Sequence, residues 1–221
     1  MRKKFFTGLM LAGVVTGVLS GCSGEAETAF SDAETAKTAL DDADSVCFEG
    51  HYKDVNQKGN VLADGKVAGY MEESGFLNTR WTITIDGQTW FYVKIVTDEW
   101  INEDTQEYVS AATYGYYDEN DNCLDYAQER AWKGSDDHSY YFCYLDADGN
   151  AKDYYSDEYG YCTWDADGNQ IATGDYEVAW TGDDYQVQID MEEGCGTQID
   201  FMDKTALYIK LYDELYDRYR D

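Results

Sequence analysis

The sequence lacks proline altogether, and it is poor in basic residues and in histidine. Its 221 residues include 16 Lys and Arg and two His, against 45 Asp and Glu. Average usage would give about 11 prolines, so turns must be formed by Gly, Asn and Asp, and edge strands must be protected by charge. The net charge of −29 argues against a nucleic acid partner, because phosphate contacts need clustered Lys and Arg.

The patterns of the common enzyme classes are also missing. The two histidines, His51 and His138, are far apart, whereas a zinc hydrolase would need paired histidines at helical spacing. The sequence contains no Gly-x-Ser-x-Gly, no phosphate-binding loop and no dinucleotide fingerprint. We therefore predict a protein that is not an enzyme, with no catalytic residue and no cofactor other than a possible calcium ion.

The N-terminus carries a short basic cluster followed by an uncharged stretch over residues 5–19, which is too short for a membrane span of about 20 residues. It ends in Leu19-Ser20-Gly21-Cys22. This motif, an aliphatic residue, two small residues and a cysteine, resembles the lipobox of bacterial lipoproteins. The resemblance implies that residues 1–21 are a signal peptide and that Cys22 becomes the lipidated N-terminus.

A lipidated Cys22 would carry the acyl chains of a diacylglycerol, such as palmitate, and two or more chains hold a protein stably at a membrane. We therefore expect a protein anchored to the extracytoplasmic face of the cell membrane or outer membrane. Cleavage before Cys22 would leave 13 basic against 45 acidic residues, a net charge of −32. The acyl chains would have to hold the domain at an anionic surface that its own charge repels.

The remainder of the chain predicts a tether over residues 22–30 and one β-rich domain over residues 31–221. Ser31 and Glu34 form a capping box, which predicts a helix over about 31–43. Beyond it, apolar residues alternate with polar ones, as in Trp81, Ile83 and Ile85. The predicted fold class is mainly β: an antiparallel meander, either half-barrel or barrel, with one N-terminal helix and, as an option, a short C-terminal helix.

The C-terminal segment is ambiguous. Leu207, Ile209 and Leu211 alternate as in a strand, whereas Tyr208, Leu211, Leu215 and Tyr219 would share a helix face. We predict a strand to about residue 211 and leave the tail undecided.

A helix entering a long meander, with Ile-Asp-Gly-Gln-Thr-Trp-Phe-Tyr-Val-Lys at residues 85–94 and Glu-Trp-Ile at 99–101, resembles extracytoplasmic lipoproteins of the lipoprotein-carrier type. The resemblance covers about residues 31–110. It implies a twisted half-barrel and a helix that enclose an apolar cavity, which carries lipid without catalysis. A lipocalin-like barrel is the rival resemblance, and it also suits the alternating residues of 171–211.

Three Asp-rich loops follow aromatic runs, at residues 118–122, 146–150 and 165–169. The second and third match the first positions of a calcium loop. Their candidate ligands are Asp146, Asp148, Asn150, Asp165, Asp167 and Asn169. The glycine expected at the sixth position of such a loop is missing, and Asp-x-Asp-Gly-Asn is also a good hairpin turn by itself. We predict hairpin turns, with weak calcium binding as the alternative.

With Cys22 lipidated, five cysteines remain, which is an odd number. Cys143 and Cys162 each lie three residues before a loop aspartate, so they are predicted as neighbours on adjacent strands and as a possible disulfide. Buried free thiols are the alternative.

Two functional hypotheses are favoured by the sequence. The first is an anchored protein that binds a lipid or another hydrophobic ligand in a cavity, and it predicts an apolar pocket under the helix. The second is a structural or adhesive surface module that uses Tyr- and Asp-rich faces, with or without calcium, and it predicts a filled core. Twelve tyrosines between residues 108 and 161 fit either hypothesis. An extracytoplasmic hydrolase is least favoured.

Overall fold

The computed structural model describes residues 27–51, 57–75, 79–101, 108–131, 140–157, 162–181 and 184–219. The predicted signal peptide and Cys22 lie outside these ranges. Within them, two α-helices, a short 3-10 helix (Gly196–Gln198) and twelve strands are present. The helices are α1, Ala33–Asp42, and α2, Phe201–Tyr219. The strands are β1 Ser45–His51, β2 Lys58–Ala63, β3 Lys66–Ser74, β4 Arg80–Ile85, β5 Gln88–Ile101, β6 Tyr108–Tyr117, β7 Cys123–Ala131, β8 Tyr140–Asp146, β9 Ala151–Asp157, β10 Cys162–Asp165, β11 Gln170–Thr181 and β12 Asp184–Met191.

Each strand pairs antiparallel with the next strand along the chain, and β1 pairs with both β2 and β12. The registers thus close the meander into a barrel. The prediction of a mainly β, antiparallel meander with an N-terminal helix is confirmed. The alternation that predicted it is visible in β4, where Trp81, Ile83 and Ile85 are buried and Thr82 and Thr84 are only partly so.

Helix α1 begins one position later than the capping box predicted. Its N-cap is Asp32, whose Oδ1 accepts a hydrogen bond from Thr35 N at 2.8 Å, while Ser31 donates to the Asp32 carboxylate. One face of α1 packs on the barrel, because Ala36 and Leu40 are fully buried in the same hydrophobic cluster as the strands.

The barrel has two different ends. Five described hairpin turns, at residues 64–65, 86–87, 118–122, 146–150 and 165–169, lie at one end, because alternate connections of an antiparallel meander share an end. We call it the turn end. The chain enters β1 there from α1, and it leaves β12 there to begin α2. None of the described helices is both long and apolar enough to span a membrane.

Candidate functional site

Helix α2 contradicts the prediction that the chain continues as a strand to about residue 211. It is a 19-residue helix, and the seven consecutive residues from 203 to 209 are all buried. A helix that is buried on every side must be surrounded by other elements. The side chains of α2 contact strands on opposite sides of the ring, from β1 and β12 to β7 and β9. Helix α2 therefore occupies the lumen of the barrel, and barrels of about eleven strands are wide enough for this.

One face of α2 is aromatic. Phe201 stacks on Trp90 with ring centroids 5.3 Å apart and lies parallel to Phe48 at 6.0 Å. One heptad later, Tyr208 stacks on Phe48 at 4.3 Å, and its hydroxyl is 2.9 Å from that of Tyr185. These residues are fully or almost fully buried apart from Trp90, which is half-buried. This face packs against β1, β5 and β12 and supplies much of the apolar contact in the lumen.

The opposite face of α2 is charged. Asp203 and Lys210 each follow an aromatic residue of α2 by two positions, which is about 200° around a helix. Asp203 pairs with Lys152 of β9 at 3.2 Å, and Lys210 pairs with Glu129 of β7 at 3.2 Å. The lumen is thus divided into an aromatic wall and a charged wall, and α2 matches both.

Lys152 is the centre of the charged wall. Its ammonium group lies 2.8 Å from Asp125, 3.0 Å from Asp200 and 3.2 Å from Asp203. Burial lowers the pKa of Lys152, but the three carboxylates outweigh it, so that the pKa is raised overall. Tyr154 completes the group by donating a hydrogen bond to Asp203 Oδ2 at 2.7 Å. The cluster therefore holds a lysine that stays charged.

Asp203 is the carboxylate of this cluster whose charge is least favoured by its surroundings. It is completely buried, and burial raises its pKa to about 6 in spite of Lys152 and Tyr154. Neither its Oδ1 nor the hydroxyl of Tyr116 beside it makes a hydrogen bond of regular geometry in the described structure, although the interaction between the two groups lowers the pKa of Asp203. Burial thus costs the Asp203 carboxylate more than the charge of Lys152 returns, as expected for a buried ion pair with an unsatisfied oxygen.

Lys204 fastens the start of α2 to the turn end. Its ammonium group donates hydrogen bonds to the backbone oxygens of Asp41, Ala43 and Gly196, at 3.2, 3.1 and 2.8 Å. Two of these oxygens belong to the C-terminal end of α1, where a cation is favoured by the helix dipole. Burial lowers the pKa of Lys204 to about 8. The contacts lock α1, the 3-10 helix and α2 together.

The predicted calcium ligands lie in hairpin turns that close without a cation. Asp146 Oδ1 accepts hydrogen bonds from the backbone N of Asp148 and of Asn150, and the Asn150 amide binds both carboxylate oxygens. Asp165, Asp167 and Asn169 repeat this geometry. Hydrogen bonds from the asparagine side chains lower the pKa of Asp146 and Asp165. The hairpin interpretation thus explains these residues, and calcium binding stays a prediction.

We expect Asp146→Ala to lower the midpoint of thermal unfolding by the same amount in calcium and in EDTA, because it removes the acceptor that closes the turn. Asp148→Ala is the matched control: it removes a charge from the third calcium position but no acceptor of the turn, so its midpoint should stay near that of the wild type. A calcium-dependent gain in stability that both variants abolish would instead establish a metal site.

The predicted disulfide between Cys143 and Cys162 is wrong for this structure. Cys143 pairs in register with Tyr155, and Cys162 with Asp157, so that β9 lies between the two cysteines. Two strand spacings are about 10 Å, whereas a disulfide needs Cα atoms less than about 7 Å apart. Cys143 is a buried free thiol, as is Cys47, and burial raises the pKa of both.

Among the described residues, no group of three or more His, Cys, Asp or Glu side chains is arranged to hold a metal ion. Comparison with known proteins identifies no relative, since no family model, no curated protein and no solved structure matches the chain.

Proposed function

We propose that this protein is a lipid-anchored extracytoplasmic module that acts through its outer surface rather than by carrying a ligand inside its barrel. The observation that carries the proposal is the position of α2, whose residues 203–209 are buried on every side within the ring of strands. A filled core is what the structural or adhesive hypothesis predicts.

The lipid-carrier hypothesis requires an apolar space that a ligand can enter. In the described part of the chain, the aromatic wall of the lumen is covered by Phe201 and Tyr208, and the charged wall is paired with Asp203 and Lys210. A lipid would have to displace α2 and leave buried charges without partners, which is costly. Internal ligand binding therefore stays a prediction with less support than a surface function.

The proposed anchor rests on the lipobox-like sequence at residues 19–22, and the described structure fits it sterically. The backbone N of Ala29 donates to Val67 O at 2.8 Å, which fastens the N-terminal segment at the turn end. Four residues lie between Cys22 and Glu27, and these five Cα–Cα steps reach at most about 18 Å. An anchored Cys22 would therefore hold the turn end toward the membrane and the opposite end away from it.

Two measurements test the proposal. Cys22→Ser should abolish incorporation of labelled palmitate and shift the protein from the membrane fraction to the soluble fraction, whereas Cys195→Ser, which also removes one thiol, should do neither. Native mass spectrometry of the wild-type protein released from detergent should give the chain with its covalent acyl groups and no further ligand. A retained non-covalent lipid that is independent of Cys22 would favour the carrier hypothesis.

A further inference from the structure

Two basic residues lie side by side on the outer wall of this acidic barrel. Trp81 of β4 pairs with Val93 of β5, and both side chains are buried toward the lumen. The adjacent residues of the two strands, Arg80 and Lys94, therefore point outward at neighbouring positions. Like charges at such positions repel each other, and the chain has 45 acidic residues with which it could have neutralised them. Such a pair of cations indicates an anion that comes from outside the chain.

The neighbours of this pair along the same row of the sheet carry no charge. Arg80 pairs with Ser74 of β3, and Lys94 pairs with Gly115 of β6. Gly115 in turn pairs with Tyr126 of β7. Across five strands, this outward row thus holds two cations and no carboxylate. The side chain of Arg80 is 45% exposed, so a ligand in solution can reach it.

Two stacked tyrosine rings hold the cations in place. Tyr92 and Tyr117 stack with ring centroids 5.3 Å apart, and the Tyr117 ring lies directly over Gly115, where a Cβ atom would be 2.7 Å from it. The guanidinium carbon of Arg80 is 3.7 Å from the centroid of Tyr92. The ammonium group of Lys94 is 4.0 Å from the centroid of Tyr117 and 5.8 Å from that of Tyr92. These cation–π contacts position both charges around one stack without neutralising them.

The carboxylate of Asp121 competes for Arg80, but only weakly. It lies 3.5 Å from the guanidinium group and is 73% exposed, so the ion pair contributes little. Asp121 also accepts a hydrogen bond from the hydroxyl of Tyr92, and burial raises the pKa of Tyr92 to about 12, so this hydroxyl stays protonated. Among the described residues, the side chain of Lys94 contacts the two rings rather than a carboxylate. An incoming anion would therefore meet two cations that are positioned but hardly neutralised.

The chemistry of the two cations indicates which anion fits. The guanidinium fork binds two oxygens of a phosphate or carboxylate, and lysine adds a point charge. A phosphate monoester has nearly two charges and three free oxygens, which suffice for both cations, whereas a carboxylate has one charge and two oxygens. We propose that Arg80 and Lys94 form a binding site for a phosphate monoester group. This deepens the proposed surface function and rests on it.

The site lies beside the turn at residues 118–122, because Tyr117 directly precedes this turn and Tyr92 binds Asp121 within it. An anchored Cys22 would hold this end toward the membrane. A phosphate group can therefore come from a lipid headgroup or from a soluble molecule, and the experiment separates the two sources.

The test titrates the full chain, in maltoside micelles that contain no phosphate, with inorganic phosphate at pH 7.5 by calorimetry. We expect saturable one-to-one binding that weakens with salt, and at least tenfold weaker binding of acetate. R80Q/K94Q should weaken phosphate binding at least tenfold, because it removes both charged donors. R80K keeps the charge without the planar fork and should weaken binding several-fold. D121N keeps an acceptor for Tyr92 but removes the competing charge, so it should tighten binding.

The charge-matched control is K66Q/R130Q, which removes one lysine and one arginine from β3 and β7 and should leave the Kd unchanged. Equal weakening by both double variants would mean that phosphate responds only to the net charge, and it would overturn the proposal. The absence of phosphate binding, or equally tight binding of acetate, would overturn it as well.

The source of the phosphate is tested by the same titration in phosphatidylcholine nanodiscs that contain either phosphatidic acid, whose headgroup is a phosphate monoester, or phosphatidylglycerol at equal charge. Loss of inorganic phosphate binding with phosphatidic acid alone supports the site and identifies a lipid headgroup as its ligand. Unchanged affinity supports the site and identifies a soluble ligand. Failure of the proposed function is seen separately, as a non-covalent lipid that R80Q/K94Q also retains in native mass spectrometry.

Discussion

A chain that ends at Asp200 is expected to have no cooperative unfolding transition. The truncation removes α2 and leaves the lumen without Phe201 and Tyr208, which are both fully buried. Replacing one buried aromatic residue by alanine costs about 3–5 kcal/mol, and a typical domain is stable by only about 5–15 kcal/mol. Loss of both residues also exposes their partners Phe48 and Tyr185. The combined cost is therefore as large as the whole free energy of unfolding of an ordinary domain. Circular dichroism on heating and binding of a hydrophobic dye measure the effect.

The matched control is a chain that ends at Tyr212. It keeps every α2 side chain whose burial is described, so we expect a cooperative transition close to that of the full chain. A native-like transition in the chain that ends at Asp200 would mean that the barrel folds without its central helix, and the lumen would then be available to a ligand.

The second large effect is a change in the free energy of unfolding with pH, caused by the titration of Asp203. Burial raises the pKa of this carboxyl from 3.8 to about 6. Between these values the folded state binds a proton that the unfolded state does not bind, so the free energy of unfolding rises as the pH falls through this window. The shift corresponds to up to about 3 kcal/mol between pH 7 and pH 4. Relative to Asp203→Asn, the wild type should become more stable by this amount on acidification, as measured by urea unfolding.

Asp200→Asn is the control, because Asp200 also pairs with Lys152 but its side chain is about half exposed. On acidification the wild type should gain little stability relative to Asp200→Asn, because both keep the buried Asp203 carboxyl. Carboxylates whose pKa is lowered by backbone or asparagine hydrogen bonds, such as Asp44 and Asp165, lose their contribution only below about pH 4, and they do so in wild type and variants alike. Parallel pH profiles for wild type and Asp203→Asn would contradict the burial of Asp203.

The strands of this fold could be predicted because most of them have one buried face and one more solvent-exposed face. In β12, Tyr185, Val187 and Ile189 are buried, while Gln186 between them is exposed. Such alternation is local and can be recognised in the sequence. The Asp-rich turns could be predicted for the same reason, since Asp146 and Asn150 bind each other within five residues.

Helix α2 could not be predicted in this way. Because residues 203–209 are buried on every side, α2 lacks the solvent-exposed polar face that marks an ordinary helix, and Leu207, Ile209 and Leu211 fit a strand as well as a helix. One signal was present: Phe201 with Tyr208 and Asp203 with Lys210 repeat at seven residues, which places an aromatic stripe opposite a charged one. The partners of these stripes come from distant strands, as Lys152 and Glu129 do, and no local pattern identifies them.

The cysteine prediction failed for a related reason. Equal offsets from two similar loops suggested that Cys143 and Cys162 are neighbours, but similar hairpins in a meander are separated by the intervening strand. Here that strand is β9, which pairs with both β8 and β10.

The central claim is that α2 forms the core of the barrel, and hydrogen exchange of its backbone amides under native conditions tests this most directly. If α2 fills the lumen, the amides of residues 203–209 can open only when the barrel opens. They should then exchange with the same free energy as those of β1 and β12, and this free energy should equal that of global unfolding. Exchange of the α2 amides by a local opening, while the amides of β1 and β12 remain protected, would contradict the account.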